Sequence, residues 1–370
     1  MEEPIGPTHT RVRVPVDRLH SFCVESLIRG GMREADASLT ADVLVTTDTW
    51  GVFTHGTTSL RAYLRKVKAG GIDPRAVPEV IREGPAWAMI DGHSAMGMVT
   101  SSKAMETAIG KAKTSGIGYV GVSGGTHFGA AGYYASMALK ADLIGLAMSN
   151  VDPNMNVPAG SGHIIGNNPI AFAAPAGKEK PILMDIAMSS VAAAKVWLAK
   201  AQGKAIPNTW VADGDGLPTT DTSAWPSPGS LLPMAAHKGY GLALMIEVLA
   251  AACTGSGVLK EVPSWHLNPH LRTNTGHAFI AVDIGAMMPI DAFKCRMDAM
   301  IREIKESPKA KGSERIYLPG EIEWETRDKA LKRGIEFPEA VMRNLIGVGQ
   351  DQGLEFDQFL RPYGWNEHES

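Results

Sequence analysis

Apolar positions recur at helical spacing along the first 70 residues. Leu19, Phe22, Cys23 and Leu27 share one helical face, and Gly30 and Gly31 end that helix. A second helix begins at Asp36, passes through Leu39, Val43 and Leu44, and ends near Thr49. A turn over 51–56 leads to a third helix over 59–68, and a short strand over 14–16 precedes all three. After Pro74 the pattern changes. Strands are predicted at 80–81, 86–90, 117–122, 143–148, 169–174, 182–186, 209–212 and 278–283, with helices at 96–114, 130–140, 190–200 and 239–254. From Ile290 helical spacing returns at 292–304, 326–333 and 338–347. Strands mixed with helices mean an α/β or α+β sheet domain. The predicted division is 1–75 and 289–370 as one helical domain, with a sheet domain, 76–288, inserted between its parts.

Composition narrows the class. The chain has 370 residues, 44% of them hydrophobic and 20% charged, enough for about two domains with a sizeable core. A net charge of -3 argues against a nucleic-acid partner, which selects a basic face. The three cysteines, Cys23, Cys253 and Cys295, form no CxxC pair, as expected of reduced thiols rather than a disulfide framework or zinc ribbon. The opening MEEPIGPTHTRVRV lacks a charged-then-apolar leader pattern, and the apolar run 242–253 is too short to span a bilayer and carries Glu247. The expectation is a cytoplasmic protein with no membrane partner, acting on a small molecule.

The stretch GVSGGTHFGAAGYY, 121–134, places His127 on a glycine-rich turn between a predicted strand and a predicted helix. Such turns hold catalytic acids and bases, although histidines also occupy turns without chemical duty. His55 lies in TWGVFTHGTTS, between helices, where a purely packing role is the alternative. Two histidines on glycine-flanked turns suit proton transfer and substrate orientation. Lys238 precedes an apolar helix opened by Gly239 and Gly241, a setting for a phosphate or carboxylate. Asp185 ends a strand, where a carboxylate reaches a ribose or an amide, or merely caps a helix. Gly116, Gly118 and Gly121 spell GxGxxG, but they follow a helix and enter a strand, the reverse of a dinucleotide fingerprint. No metal site is expected: His266 and His270 stand four apart, but Pro269 interrupts a helix there.

Eight stretches, in order, resemble the malate/L-lactate dehydrogenase family of the non-Rossmann type. They are GVFTHG (51–56), GGTHFGAAGYY (124–134), GNNPIAFAAP (166–175), ILMDIAMSS (182–190), IPNTWVADGDGLPTTD (206–221), HKGYGLALMIEVL (237–249), NTGHAFIAVD (274–283) and YLPGE (317–321). The IPNTW and PTTD segments look closest to the ureidoglycolate dehydrogenase branch. The resemblance implies a mixed-sheet, non-Rossmann domain binding NAD or NADP, a helical domain from both chain ends, and a homodimer. It implies hydride transfer between a 2-hydroxy acid and its 2-oxo acid, with His127 as acid/base and His55 as a second proton-handling group. Thr54 stands where relatives carry a serine before that histidine. Asp185, Ile186 and Ala187, with Lys238 and Pro319, Gly320 and Glu321, match cofactor-binding segments. Val151 stands where some members place a cofactor-contacting serine, and offers only backbone.

Two positions depart from the family. Ser59 replaces an arginine that would fork onto a substrate carboxylate, and Trp50 replaces a basic residue. Arg61 is turned about 200° from position 59 on a helix. Losing a charge-assisted contact costs about 1.5–3 kcal/mol, so Trp50, Thr54 and Ser59 are the expected substrate-selecting positions. Two other readings share the motifs: an NADPH-dependent reductase of a cyclic imine such as piperideine-2-carboxylate, and a non-catalytic cofactor-binding protein, motivated by the missing arginine.

Overall fold

The computed structural model describes residues 12–355, so the first eleven residues of the stretch read for a leader lie outside the described residues. In chain order the elements are β1 (Val12–Val14), α1 (Val16–Arg29), α2 (Glu34–Thr49), α3 (Leu60–Ala69), β2 (Glu79–Gly84) and β3 (Trp87–Asp91). Next come α4 (Gly97–Ser115), β4 (Ile117–Gly125), α5 (Ala131–Met137), β5 (Leu143–Ser149), β6 (Ile170–Ala174), β7 (Ile182–Ile186) and α6 (Ala193–Ala201). The remainder are β8 (Val211–Ala212), β9 (Pro218–Thr219), β10 (Ser230–Leu231), α7 (His237–Glu247), β11 (Thr275–Asp283), α8 (Ile290–Glu306), α9 (Glu321–Arg333), β12 (Ile335–Phe337) and α10 (Glu339–Gln352). The described residues divide into two compact units. One comprises those up to Lys68 and from Ile322 on; the other is Ala69–Glu321.

The first unit is helical. Leu19, Phe22, Cys23 and Leu27 on α1 and Val43 and Leu44 on α2 are buried, as their spacing predicts. Val14 ends β1, Pro15 follows, and α1 begins at once at Val16, so the predicted strand over 14–16 sits two residues too late. β1 pairs antiparallel with β12, Val14 opposite Ile335, which ties the two ends of the chain together.

The second unit is built on a seven-stranded sheet in the order β2-β3-β4-β11-β5-β6-β7. Only β3 and β4 pair in parallel; every other neighbouring pair is antiparallel. A dinucleotide fold of the doubly wound kind needs a parallel sheet, so the mixed sheet agrees with reading the GxGxxG as a decoy. The glycines have other work. Gly116 is the left-handed cap of α4 (φ 81°). A Cβ on Gly118 would meet the Ala108 carbonyl of α4 at 2.2 Å, and one on Gly121 would meet Thr254 at 2.8 Å. Three residues apart on a strand, these positions face opposite sides, so helical segments press on both faces of the sheet. One core gathers Met148, Met188, Val196, Trp225, Leu231, Ala243, Ile246 and Ala278.

Helix α8 falls in the sheet unit, although its sequence pattern grouped it with the terminal helices. Its Asp298 carboxylate accepts the backbone N–H groups of Gly177, Lys178 and Glu179 (2.8–3.2 Å), and Lys294 pairs with Asp142 (2.6 Å). Periodicity shows that a helix has an apolar face and is silent on which layer that face meets.

Candidate active site

β4 carries the chain to Gly125, which turns through Thr126, His127 and Phe128 toward α5. The Thr126 hydroxyl donates to the Ala95 carbonyl (3.0 Å), and the Tyr134 hydroxyl donates to the Phe128 carbonyl (2.5 Å). Both neighbours of His127 are thereby held. His127 is half-buried. Its Nδ1 accepts the Gly129 N–H at 3.4 Å, and its ring stacks on Trp265 with centroids 4.3 Å apart and planes 10° from parallel.

The segments that the resemblance assigns to the cofactor gather along β7 and just past its C-terminal end. Asp185 is exposed there and accepts the Gly132 N–H in the first turn of α5 (2.7 Å), five residues after His127. Ile186 and Ala187 follow, and then Met188, whose carbonyl accepts the Met234 N–H (2.8 Å). Met234 in turn accepts from Gly239 (2.8 Å), so the turn bearing Lys238 is tied to the Asp185–Met188 segment. Lys238 is exposed at the start of α7, after Ala235 and Ala236, which adopt φ 47° and 53°. Alanine in this region is strained, and such strain concentrates at functional turns. The Pro319 carbonyl accepts the Leu183 N–H (3.0 Å), which lays residues 319–321 along β7. Glu321 receives Lys305 and Arg315 at 2.8 Å each. Val151 belongs to the same cluster: its N–H donates to Asn168 Oδ1 (3.1 Å), so that backbone donor is already used.

The helical unit carries the other predicted residues. After α2, a tight turn, Phe53–His55, holds the Thr54 hydroxyl 2.9 Å from His55 Nδ1. The Ser59 hydroxyl donates to the Thr54 carbonyl (3.2 Å). Thr57 donates both its N–H (3.0 Å) and its hydroxyl (2.5 Å) to Asp48 Oδ2. Asp48 is buried, and desolvation lifts its carboxyl to about 7 against the pull of those two hydrogen bonds. Trp50 and Ser59 are only 5% and 8% exposed, and Trp50 packs edge-on against Trp324 (5.9 Å). Arg61 is engaged by Asp351 through two contacts of 2.7 and 3.2 Å, as expected of a residue turned away from position 59.

Sequence reasoning missed Asp48, Trp265, His277 and the buried carboxylate Glu247. Asp48 had a readable signal, an acidic residue amid the apolar positions of a buried helix. Trp265 lies in an irregular loop and had none. Among the described residues no group of three or more His, Cys, Asp or Glu is arranged to hold a metal ion.

A family model for malate/L-lactate dehydrogenase matches residues 14–346, and the chain belongs to this family. It is 38% identical to malate dehydrogenase from Pyrococcus horikoshii over 351 residues, covering 93% of this chain and 96% of that one. The solved structure of the Pyrococcus horikoshii enzyme superposes with a TM-score of 0.86, covering 96% of this chain and 99% of that chain. L-sulfolactate dehydrogenase from Methanocaldococcus jannaschii is 37% identical (91% and 96% covered). Ureidoglycolate dehydrogenase (NAD(+)) from Escherichia coli K12 is 32% identical (90% and 95%). Identity is thus higher to the malate and sulfolactate enzymes than to the ureidoglycolate enzyme.

Proposed function

We propose that this protein is an NAD- or NADP-dependent dehydrogenase that interconverts a 2-hydroxy acid and its 2-oxo acid. The observation that carries the reading is the convergence at β7. Asp185, Ile186 and Ala187, the Lys238 turn and Pro319–Glu321 are joined by main-chain bonds, and Asp185 is bonded to the helix that follows His127. The donor set suits a nicotinamide dinucleotide. Lys238 supplies a cation for the pyrophosphate, Asp185 an acceptor for ribose hydroxyls or the carboxamide, and Ile186, Ala187 and Pro319 apolar surface for a flat ring. When bound, the nicotinamide accepts or returns the hydride of the carbinol carbon. His127 takes the hydroxyl proton during oxidation and returns it during reduction, a transfer worth about 10²–10⁴-fold. His55 serves as a second proton-handling and orienting group, with Thr54 fixing its ring through Nδ1. Trp50 and Ser59 influence substrate choice by shaping this turn from beneath, since both are buried.

The protein acts as a homodimer in the cytoplasm. Support for the dimer is an apolar stripe on α7 and just beyond it, where Leu242, Leu244, Met245 and Val248 are each 40–47% exposed. Support for the compartment is a set of three free cysteines, of which Cys253 and Cys295 are exposed.

The test is turnover of a panel of 2-oxo acids and cyclic imines with NADH and NADPH, for wild type and His127→Ala. The expected result is reduction of one or more 2-oxo acids. His127→Ala should lose about 10²-fold or more in kcat while cofactor binding, read by fluorescence, persists. Turnover of imines alone would replace the substrate class. Saturable cofactor binding without turnover on any compound would mean a binding protein.

A further inference from the structure

We propose that His277 is a positioning residue for the reaction, holding the residues on both sides of His127. The inference rests on the reading of His127 as acid/base. His277 sits on β11, fully buried, where the pairing of β11 with β4 is interrupted between Thr275 and His277. Its Nε2 lies 3.1 Å from the Thr126 carbonyl, and its ring stacks on Phe128 with centroids 4.6 Å apart and planes 9° from parallel. Thr126 and Phe128 are the residues before and after His127. One imidazole therefore fixes the carbonyl on one side by a hydrogen bond and the side chain on the other by a stack.

The protonation state follows from the partners. A carbonyl can only accept, so Nε2 must carry a proton. Nδ1 faces the Ser149 hydroxyl at 2.9 Å, and the single proton of that hydroxyl has a second acceptor in the Asn150 carbonyl at 2.7 Å. Desolvation holds the ring down to about 4, so it stays neutral wherever the enzyme works near neutral pH. A neutral imidazole with Nε2–H is a fixed donor and takes no proton from the substrate. The β4 side is fitted to it as well: a Cβ on Gly125 would lie 2.7 Å from Nε2. The Asp185, Lys238 and Pro319 segments hang on Met188 and Leu183 instead, so His277 acts on the geometry of His127 without holding those segments.

The experiment compares His277→Phe, His277→Gln and Ser149→Ala with wild type and His127→Ala. Each is read for kcat, KM, NADH and NADPH affinity, the pH profile of kcat, and melting temperature. Phe keeps the flat stack on Phe128 and loses the donor; Gln keeps a donor within reach of Thr126. A displacement of about 1 Å at a reacting group costs up to about 10²-fold. His277→Phe should therefore lower kcat about 10- to 100-fold, with cofactor affinity and the position of the pH inflection unchanged. His277→Gln should recover most of that loss. Ser149→Ala removes the hydroxyl that faces Nδ1, and should lower kcat in the same direction by a smaller factor. Wild-type kcat in His277→Phe and Ser149→Ala would overturn the proposal. So would a Gln variant as impaired as the Phe variant, or losses in cofactor affinity and melting temperature that match the loss in kcat. A pH inflection abolished by His277→Phe would make His277 itself the titrating base and overturn it too. Full turnover by His127→Ala would instead overturn the acid/base reading beneath it.

Discussion

Asp48 is the residue whose environment is most at odds with its chemistry. Its Oδ1 is buried with no hydrogen-bond partner, while Oδ2 takes both donors of Thr57 and so pins the turn that bears His55. Burial first, and the Asp48 carboxylate second, also push the Cys23 thiol well above its ordinary range. The folded carboxyl, at about 7, lies well above the ordinary value of 3.8 for an aspartate. The folded state therefore binds the proton more tightly than the unfolded chain does. That contribution is fully present below about pH 4 and is lost as pH rises through 7. Asp48→Asn has no such loss. In urea denaturation, the stability of the variant relative to wild type should rise by roughly 2–3 kcal/mol between pH 5 and pH 8. A pH-independent difference would mean that Asp48 is ionised throughout. His127 and His55 were legible because glycines and hydroxyls bracket them in the sequence. His277 was not, because its partners, Thr126, Phe128 and Ser149, lie more than a hundred positions away along the chain.

At the level of elements, periodicity located most strands and helices but not what holds their ends. β9 and β10 were missed because each is two residues long, too short for alternation to register. The predicted helix over 130–140 is α5 followed by a tighter turn, Ala138–Ala141. The clearest gap is Glu247, which sequence reading noted only as a charge in an apolar helix. It is buried at the end of α7 and accepts from Asn150 (3.2 Å), Asn168 (2.7 Å) and the Leu259 N–H (2.8 Å). Asn168 holds the Val151 N–H, and Asn150 holds the Gly276 N–H (2.8 Å) on β11. One carboxylate thus joins α7, the loop after β5 and the start of β11. Glu247→Ala would strand these donors in the interior, where each unpaired group costs about 1–3 kcal/mol. The expected loss is about 3 kcal/mol or more, measured by chemical denaturation. Weaker NADH or NADPH binding should accompany it, as the Val151 loop loosens. Unchanged stability would mean that water replaces the carboxylate.

At the scale of the whole molecule, the spacing of apolar residues changes near Pro74 and again near Ile290, whereas the second unit runs from Ala69 to Glu321 and takes in α8. Sheet order and the layer to which α8 belongs depend on contacts between distant segments. No local pattern encodes these, and only the resemblance pointed to a mixed sheet. The exposed apolar stripe is a feature of this scale. Along α7 and its continuation, Ala243, Ile246 and Ala250 face the core while Leu242, Leu244, Met245 and Val248 face outward. A helix apolar on both faces is covered on both, and in the proposed homodimer the second cover is the same helix of another copy, since two-fold interfaces are self-complementary. Met245→Lys would place two like charges across that axis, each costing desolvation and repulsion. Light scattering across a concentration series should show the solution mass of the variant falling to half that of wild type, with cofactor binding retained. The position of the helix sharpens the outcome, because Lys238 opens α7. A dimer through this face braces the helix that carries the proposed pyrophosphate cation, so the monomeric variant should bind NADH or NADPH more weakly than the dimer without losing it. A wild type that is monomeric at every concentration would remove the stripe as a dimer face, and a Met245→Lys variant that stays dimeric would move the interface elsewhere.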